Sequence, residues 1–351
     1  MGISAGGFSV AVHLAQRDSW PFFQKAIIQS GTYGEETTWE AANEKFTLIM
    51  DLSGCTTMTC LANLDADALK EIGAAFDTNV LDGPFEPFES TSRKPLPLIS
   101  KRLRRWSPTI DGVYLPRSHI QLFSEGIIHP VPVIIGALRD EAALFWRLRQ
   151  PTITEDEYDL KLLSAGFNDT EVAFIKQLYS PDVYDYPSDL GQHNIWYFMA
   201  MRGETDQVRS FGICSVRPAA QLLQEAGANV YVYHLEHPLQ ANILGAFPGS
   251  NLAAHSFEVF FTFAAFMLLV DPGDIEMADA MASYWTEFIK SGTPAIAGLP
   301  EWPLFKKQTD DILVFESTVY SDGIRIVRGI RQEVCNFWEH EYQQFANVTD
   351  A

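Results

Sequence analysis

The sequence has no apolar run long enough to cross a membrane. Its longest apolar stretch, Val259 to Val270, has about half of the roughly 20 residues that a bilayer requires, and Glu258 and Asp271 flank it. We therefore interpret this stretch as buried core and predict no transmembrane segment. No secretory leader precedes Gly2, an absence that by itself excludes nothing.

Basic residues are scarce. The chain has 25 Lys and Arg residues against 45 Asp and Glu residues, which gives a formal net charge of −20. Nucleic acids and anionic membranes bind proteins through positively charged surfaces. The charge balance therefore argues against both as partners.

Cysteine is also rare, with four residues in 351. They are Cys55, Cys60, Cys214 and Cys335. An even number fits two disulfides, and acceptor sequons for N-glycosylation begin at Asn168 and Asn347. Each sign is weak alone, and together they favour an oxidising, secretory environment.

Ligand pairs with the spacing of a zinc site are missing from the sequence. His234 and His237 lie close together after a predicted strand, but no second pair of ligands lies nearby in the sequence. The sequence therefore predicts no metal site.

Hydrophobic residues, by contrast, make up 47% of the chain and aromatic residues 13%, which is typical of a well-packed globular protein. No internal repeat and no sharp linker divides it, so we expect one domain over residues 1–351. Short apolar runs predict buried strands, and helical periodicity predicts the segments between them. The predicted strands are Lys25–Gly31, Val131–Gly136, Asn229–His234 and Asp311–Glu316. The predicted helical segments are Ala5–Gln16, Trp39–Leu52, Thr152–Tyr179, Ser210–Ala226, Met277–Lys290 and Gly329–Phe345.

This alternation of strands and helices predicts an α/β fold with a parallel sheet. One stretch, Phe76 to Ser107, is rich in proline, glycine and charge, and we interpret it as a long surface excursion.

The pattern Gly-x-Ser-x-Gly occupies residues 2–6 and places Ser4 directly before a predicted helix. A serine hydroxyl is a poor nucleophile at neutral pH. It needs a base within hydrogen-bond reach, and the base needs an acid to orient it.

Candidates for both partners follow later strands. The acidic pair Asp140 and Glu141 comes after the strand that ends near Gly136, and His255 comes after a long loop beyond the next strand. The order serine, acid, histidine is the one found in α/β-hydrolases. On position alone, either carboxylate of the pair could orient the histidine.

Six segments in this order resemble the type-B carboxylesterase family, which includes cholinesterases and fungal lipases. They are residues 2–7 (GISAGG), 28–31 (IQSG), 108–112 (PTIDG), 136–141 (GALRDE), 255–258 (HSFE) and 285–294, which ends in Gly-Thr-Pro. The resemblance covers nearly the whole chain. It implies an α/β-hydrolase fold, with a mostly parallel sheet and flanking helices.

The resemblance also implies a role for each matched residue. Ser4 matches the nucleophile and His255 the base. Glu141 matches the acid, because the family uses Glu more often than Asp, and Asp140 is the alternative. The backbone N–H of Ala5 is expected to contribute to the oxyanion hole, since the residue after the nucleophile opens a helix.

The implied activity is hydrolysis of carboxylic esters, either small molecules or lipids, through an acyl-enzyme and without a cofactor. The cysteines match two family disulfides, Cys55 with Cys60 and Cys214 with Cys335.

Two departures from the family pattern stand out. Ile3 occupies the position where the family usually has Glu. The resemblance also begins at the nucleophile motif, so we expect the chain to be N-terminally truncated, without the family's first strands and its glycine-rich oxyanion loop. Two alternatives to an active esterase therefore remain open: a catalytically inert fragment, or a non-enzymatic cholinesterase-like binding module.

Overall fold

The structure is a computed structural model of the chain, and it describes residues 1–32, 36–81, 107–141, 154–164, 167–178, 212–240, 252–265 and 269–337. The strands in these segments are β1 (Gly2–Ile3), β2 (Ala26–Gln29), β3 (Thr37–Thr38), β4 (Thr109–Ile110), β5 (Val133–Leu138), β6 (Val230–Leu235), β7 (Asp311–Phe315) and β8 (Arg325–Arg328). The α-helices are α1 (Ala5–Ala15), α2 (Trp39–Ser53), α3 (Met58–Ala62), α4 (Ala66–Leu81), α5 (His119–Ser124), α6 (Glu155–Ser164), α7 (Asp169–Leu178), α8 (Ile213–Glu225), α9 (Glu258–Thr262) and α10 (Pro272–Ser291). A 3₁₀ helix spans Arg17–Phe22.

A six-stranded sheet with the order β1-β2-β5-β6-β7-β8 organises the fold. Neighbouring strands are parallel from β1 to β7, and β8 pairs antiparallel with β7. Strands β3 and β4 form a separate parallel pair. The predicted parallel α/β sheet is confirmed, and the carboxyl ends of five parallel strands meet at one edge of it.

The central strands are buried on both faces, which explains why they are continuous apolar runs rather than alternating ones. Every residue of β2, β5 and β6 is buried. Position 136, within β5, is a glycine because the ring of Tyr233 on the neighbouring strand β6 fills the space that a side chain would need. A Cβ atom on Gly136 would lie 2.2 Å from that ring.

Successive strand residues contribute to two cores, one on each face of the sheet. Ile28, Ile135 and Val232 belong to the first core, which contains buried residues of α1 and α8. Ile134 and Tyr233 belong to the second, which contains Met277, Met281, Trp285 and Phe288 of α10. The architecture is therefore a sheet between two layers of helices.

Helix termini follow local signals. Asp271 accepts backbone hydrogen bonds from Gly273 and Asp274, so α10 begins at Pro272, five residues before the predicted start. It ends where predicted, at Gly292, which adopts a left-handed conformation with φ 84°. The predicted helical segment Thr152–Tyr179 is two helices, because Asn168 caps α7 by accepting from the amides of residues 170 and 171.

Other differences also have local causes. The predicted excursion from Phe76 to Ser107 begins as helix, because α4 continues to Leu81, and residues 82–106 lie outside the described part of the chain. Strand β8 was not predicted; its residues alternate between half-buried and exposed, as expected at a sheet edge. In the predicted last helix, residues 332–337 are helical and the remainder is outside the described residues.

Disulfides join Cys55 to Cys60 and Cys214 to Cys335, the pairs that the family resemblance implies. The second bond connects α8 to the helical segment near residue 335 across 121 residues of sequence. Among the described helices, none has the length and apolar character needed to cross a bilayer.

Candidate active site

Ser4 occupies a sharp turn between β1 and α1. Its backbone has φ 56° and ψ −124°, a combination that L-residues adopt rarely and at a cost of about 1–3 kcal/mol. Hydrogen bonds hold the turn on both sides: the Ser4 amide donates to Gln29 O at 2.9 Å, and the Phe8 amide donates to Ser4 O at 3.0 Å. In α/β-hydrolases a strained strand-to-helix turn of this kind presents the nucleophilic serine.

Glycines make this turn possible because backbone segments approach each other closely. A Cβ atom on Gly2 would lie 2.2 Å from the carbonyl oxygen of Gly6, so only glycine fits at the first position of the motif. A Cβ atom on Gly31, in the loop after β2, would lie 2.0 Å from the carbonyl oxygen of Ser4. The glycine motif at residues 2–6 and the segment at residues 28–31 therefore pack closely together around Ser4.

His255 and Glu141 are in direct contact. The imidazole Nδ1–H donates to Glu141 Oε2 at 2.5 Å, since an ionised carboxylate can only accept. The other oxygen, Glu141 Oε1, accepts from the Leu138 amide at 2.8 Å. Both side chains are almost completely buried, at 3% and 1% exposure. The carboxylate is therefore fixed from both sides, and it sets the orientation of the ring and directs Nε2 away from Glu141.

Asp140 is also buried, but its carboxylate has different partners. Oδ2 accepts from the Ala253 amide at 2.8 Å and from Arg139 at 2.9 Å. Of the two acidic residues that the sequence offers, the structure brings Glu141 to His255, and it places Asp140 against the backbone segment that leads to the histidine.

All three predicted catalytic residues lie at one edge of the sheet. Ser4 follows β1, Glu141 follows β5, and the two strands are linked through β2 in parallel register. A parallel bridge between Asp140 and Ala254 holds the segment before His255 at the same edge. The three predicted catalytic residues therefore lie at the carboxyl edge of the sheet, where ligands bind in open α/β sheets.

A buried polar cluster of Ser30, Tyr233 and Glu258 lies within electrostatic range of Glu141. Ser30, with φ 46°, donates through Oγ to Glu258 Oε1 at 3.1 Å. Glu258 is completely buried, three residues after His255. Burial and then the negative charge of Glu141 raise the pKa of Glu258 well above its usual range. Burial and the charge of Glu258 likewise raise the pKa of Tyr233.

A single signal in the sequence could have identified this cluster. Glu258 is a charged residue at the start of a predicted buried segment, and a buried carboxyl group requires a partner. The partner, Ser30, is 228 residues away and could not be inferred from spacing.

Within the described residues, no group of three or more His, Cys, Asp or Glu side chains could hold a metal ion. His237, one of the two histidines that lie close together in the sequence, donates through Nε2–H to Asp274 Oδ1 at 2.9 Å in a buried pair. Of the two sequons, the one at Asn168 is exposed at the start of α7, and the one at Asn347 lies outside the described residues.

Comparison with known proteins gives a consistent result. The sequence profile described as "Carboxylesterase family" matches residues 1–338. The chain is 26% identical over 314 residues to pyrethroid hydrolase Ces2e of Rattus norvegicus, which covers 86% of this chain and 50% of the rat protein. It is 23% identical over 364 residues to acetylcholinesterase of Bungarus fasciatus, covering 99% of this chain and 56% of the snake protein. It is 28% identical over 319 residues to acylcarnitine hydrolase of Mus musculus, covering 86% and 51%.

Among solved structures, a PNB esterase superposes with a TM-score of 0.64 at 20% sequence identity. The match covers 94% of this chain and 62% of that esterase. The likeness shows the fold, which confirms the predicted α/β-hydrolase architecture. The chain spans about half the length of these curated relatives.

Proposed function

Because the chain belongs to the carboxylesterase family, we propose that it hydrolyses carboxylic esters with Ser4 as nucleophile, His255 as general base and Glu141 as the acid that orients the histidine. The observation that carries this proposal is the buried Glu141–His255 hydrogen bond at the same edge of the sheet as a serine on a strained turn. If packing were the only purpose of these two features, apolar residues would serve it better.

In the acylation step, Ser4 Oγ attacks the carbonyl carbon of the ester while its proton passes to His255 Nε2. The resulting imidazolium is stabilised by Glu141, whose carboxylate already holds Nδ1–H. Collapse of the tetrahedral intermediate breaks the ester C–O bond, and the histidine returns the proton to the departing alcohol. The product is an acyl-enzyme on Ser4.

Deacylation repeats these steps with water. His255 removes a proton from the water that attacks the acyl carbon, and Ser4 leaves as its hydroxyl when the histidine returns that proton. The carboxylic acid is released. In both half-reactions the backbone N–H of Ala5, in the first turn of α1, is a donor for the oxyanion, because the first amides of a helix have no intrahelical partner. No cofactor takes part in these steps.

The substrate class is a small-molecule or lipid ester. The names of the relatives refer to pyrethroid, acylcarnitine and acetylcholine hydrolysis, so family membership does not narrow the acyl or alcohol group of this chain's substrate.

We also propose that the protein enters the secretory pathway and carries a glycan on Asn168. Two disulfides support an oxidising compartment. The side-chain oxygen of Asn168 caps α7, and the residue is exposed, so its amide nitrogen is accessible for modification.

Hydrolysis of short-chain nitrophenyl esters tests the proposed activity, with the protein expressed from its own gene. We expect Ser4→Ala and His255→Ala each to abolish turnover, and Glu141→Gln to lower kcat severely. Because triad members act as a unit, the single losses are far from additive. Ser9→Ala, which alters an exposed serine on α1, is the control and leaves turnover unchanged. No hydrolysis by the wild-type protein, or hydrolysis that survives Ser4→Ala, would contradict the proposal.

A further inference from the structure

Resting on the proposed function, we infer that Asp140 is a positioning residue that holds the histidine-bearing segment, residues 252–255, against Glu141. The sequence pattern offered Asp140 only as an alternative catalytic acid. In the structure its carboxylate bonds to Ala253 and Arg139, and these contacts point to this other task.

Asp140 bonds to the segment in both directions. Its amide donates to Ala253 O at 2.9 Å, and its Oδ2 accepts from the Ala253 amide at 2.8 Å. The adjacent residue, Ala254, forms the parallel bridge to Asp140. One residue therefore fixes the backbone immediately before His255, and the next residue in sequence, Glu141, fixes its ring.

The hydrogen bonds between Asp140 and Ala253 are shielded from water, and the charge of the carboxylate is compensated. Asp140 and Ala253 are fully buried, so water does not compete for these bonds. Arg139 approaches the same Oδ2 with Nε and Nη2, each at 2.9 Å, and supplies the opposite charge that a buried carboxylate requires. A hydrogen bond to an ionised acceptor in such surroundings is stronger than a neutral one.

The consequence for catalysis follows from geometry. His255 must keep its ring against Glu141 while Nε2 reaches Ser4, and a misplacement of about 1 Å can lower a rate about a hundredfold. Loss of the Asp140 carboxylate frees the Ala253 amide and relaxes the segment. Since substrate does not touch Asp140 in this scheme, the loss falls on kcat rather than on KM.

The test compares Asp140→Ala and Asp140→Leu with Asp140→Asn. Alanine and leucine remove the acceptor, and leucine also fills the volume so that no cavity forms. Asparagine keeps an oxygen for the Ala253 amide. We expect kcat per active site, titrated with a fluorophosphonate, to fall about a hundredfold in the first two variants and less than about tenfold in the third, with KM little changed.

Asp310→Ala is the matched control. Asp310 also forms a buried ion pair, with Arg217, but it lies at the amino end of β7, opposite to the site. This variant is expected to lose stability without a change in kcat per active site. Equal kcat losses in Asp140→Ala and Asp310→Ala would reduce Asp140 to a general stabilising role, and a larger loss in Asp140→Asn than in Glu141→Gln would make it the catalytic acid. Either result overturns the inference.

Hydrogen exchange separates this inference from the proposed activity. The Ala253 amide is expected to exchange slowly in the wild-type protein and at least tenfold faster in Asp140→Leu, whether or not the protein hydrolyses esters. Unchanged protection of the Ala253 amide in a folded Asp140→Leu variant would refute the positioning role of Asp140.

Discussion

Replacement of Glu258 by glutamine is expected to make the folded protein more stable, increasingly so as the pH rises. Glu258 is completely buried and hydrogen-bonded to Ser30, and its pKa is raised by burial and by the charge of Glu141. Glutamine has nearly the same shape and can still accept from Ser30 Oγ, but it never ionises. The variant therefore removes the titration and leaves the packing.

The direction of this pH dependence follows from the linkage between folding and proton binding. A carboxyl group whose pKa is higher in the folded state contributes fully to stability below its unfolded pKa, near 4.3, and the contribution is lost as the pH rises through the folded pKa. Between these two values the wild-type protein loses stability relative to Glu258→Gln by 2.303RT, about 1.4 kcal/mol, for each pH unit. Because the folded pKa lies well above the usual range, this window begins near pH 4.3 and extends upward from there.

Urea unfolding at pH 5, 5.5 and 6 measures the difference directly. Glu276→Gln is a control of opposite sign: burial tends to raise the pKa of Glu276, but hydrogen bonds from Thr318 and Ser317 lower it, so its removal costs stability above the unfolded pKa and little below it. A stability difference for Glu258→Gln that stays constant across this pH range would show that Glu258 titrates normally. The electrostatic description of the buried cluster would then be wrong.

Two further predictions concern the framework. Removal of the Cys214–Cys335 disulfide by double alanine substitution should lower the free energy of unfolding by about 5 kcal/mol, and removal of the short-range disulfide by about 2 kcal/mol, because the closed loops differ in length; equal losses in urea unfolding would contradict this. Gly31→Ala should cost about 1–3 kcal/mol or more and slow the labelling of Ser4, since the new methyl group meets the Ser4 carbonyl oxygen, whereas Gly73→Ala in α4 meets no atom within 4 Å and should be neutral or stabilising. A tolerated Gly31→Ala variant would show that this backbone approach is looser than 2.0 Å.

The sequence was sufficient to predict the elements that position the site, because their local signals are strong. Strands β2, β5 and β6 are buried apolar runs, and each was predicted within a few residues. The glycine motif predicts Ser4 as the candidate nucleophile, and the chain order of acid and histidine supplies candidates for their roles. These features depend on residue type and spacing, which a single sequence displays.

Features that depend on contacts between distant residues could not be predicted in this way. The choice between Asp140 and Glu141 was open on position, and the family resemblance, not the spacing, favoured Glu141. The role of Asp140 depends on the Ala253 amide, which is 113 residues away. The break between α6 and α7 depends on the capping bonds of Asn168, and the helical periodicity on either side of Asn168 hides it in the sequence.

Covalent labelling tests the central claim most directly. The protein is treated with a fluorophosphonate, digested and analysed by mass spectrometry to locate the modified residue. If Ser4 is a nucleophile activated by the Glu141–His255 pair, the label is found on Ser4, its attachment parallels the loss of ester hydrolysis, and His255→Ala slows it by orders of magnitude. Labelling of a different serine in parallel with the loss of activity, or labelling of Ser4 at an undiminished rate in His255→Ala, would contradict the account.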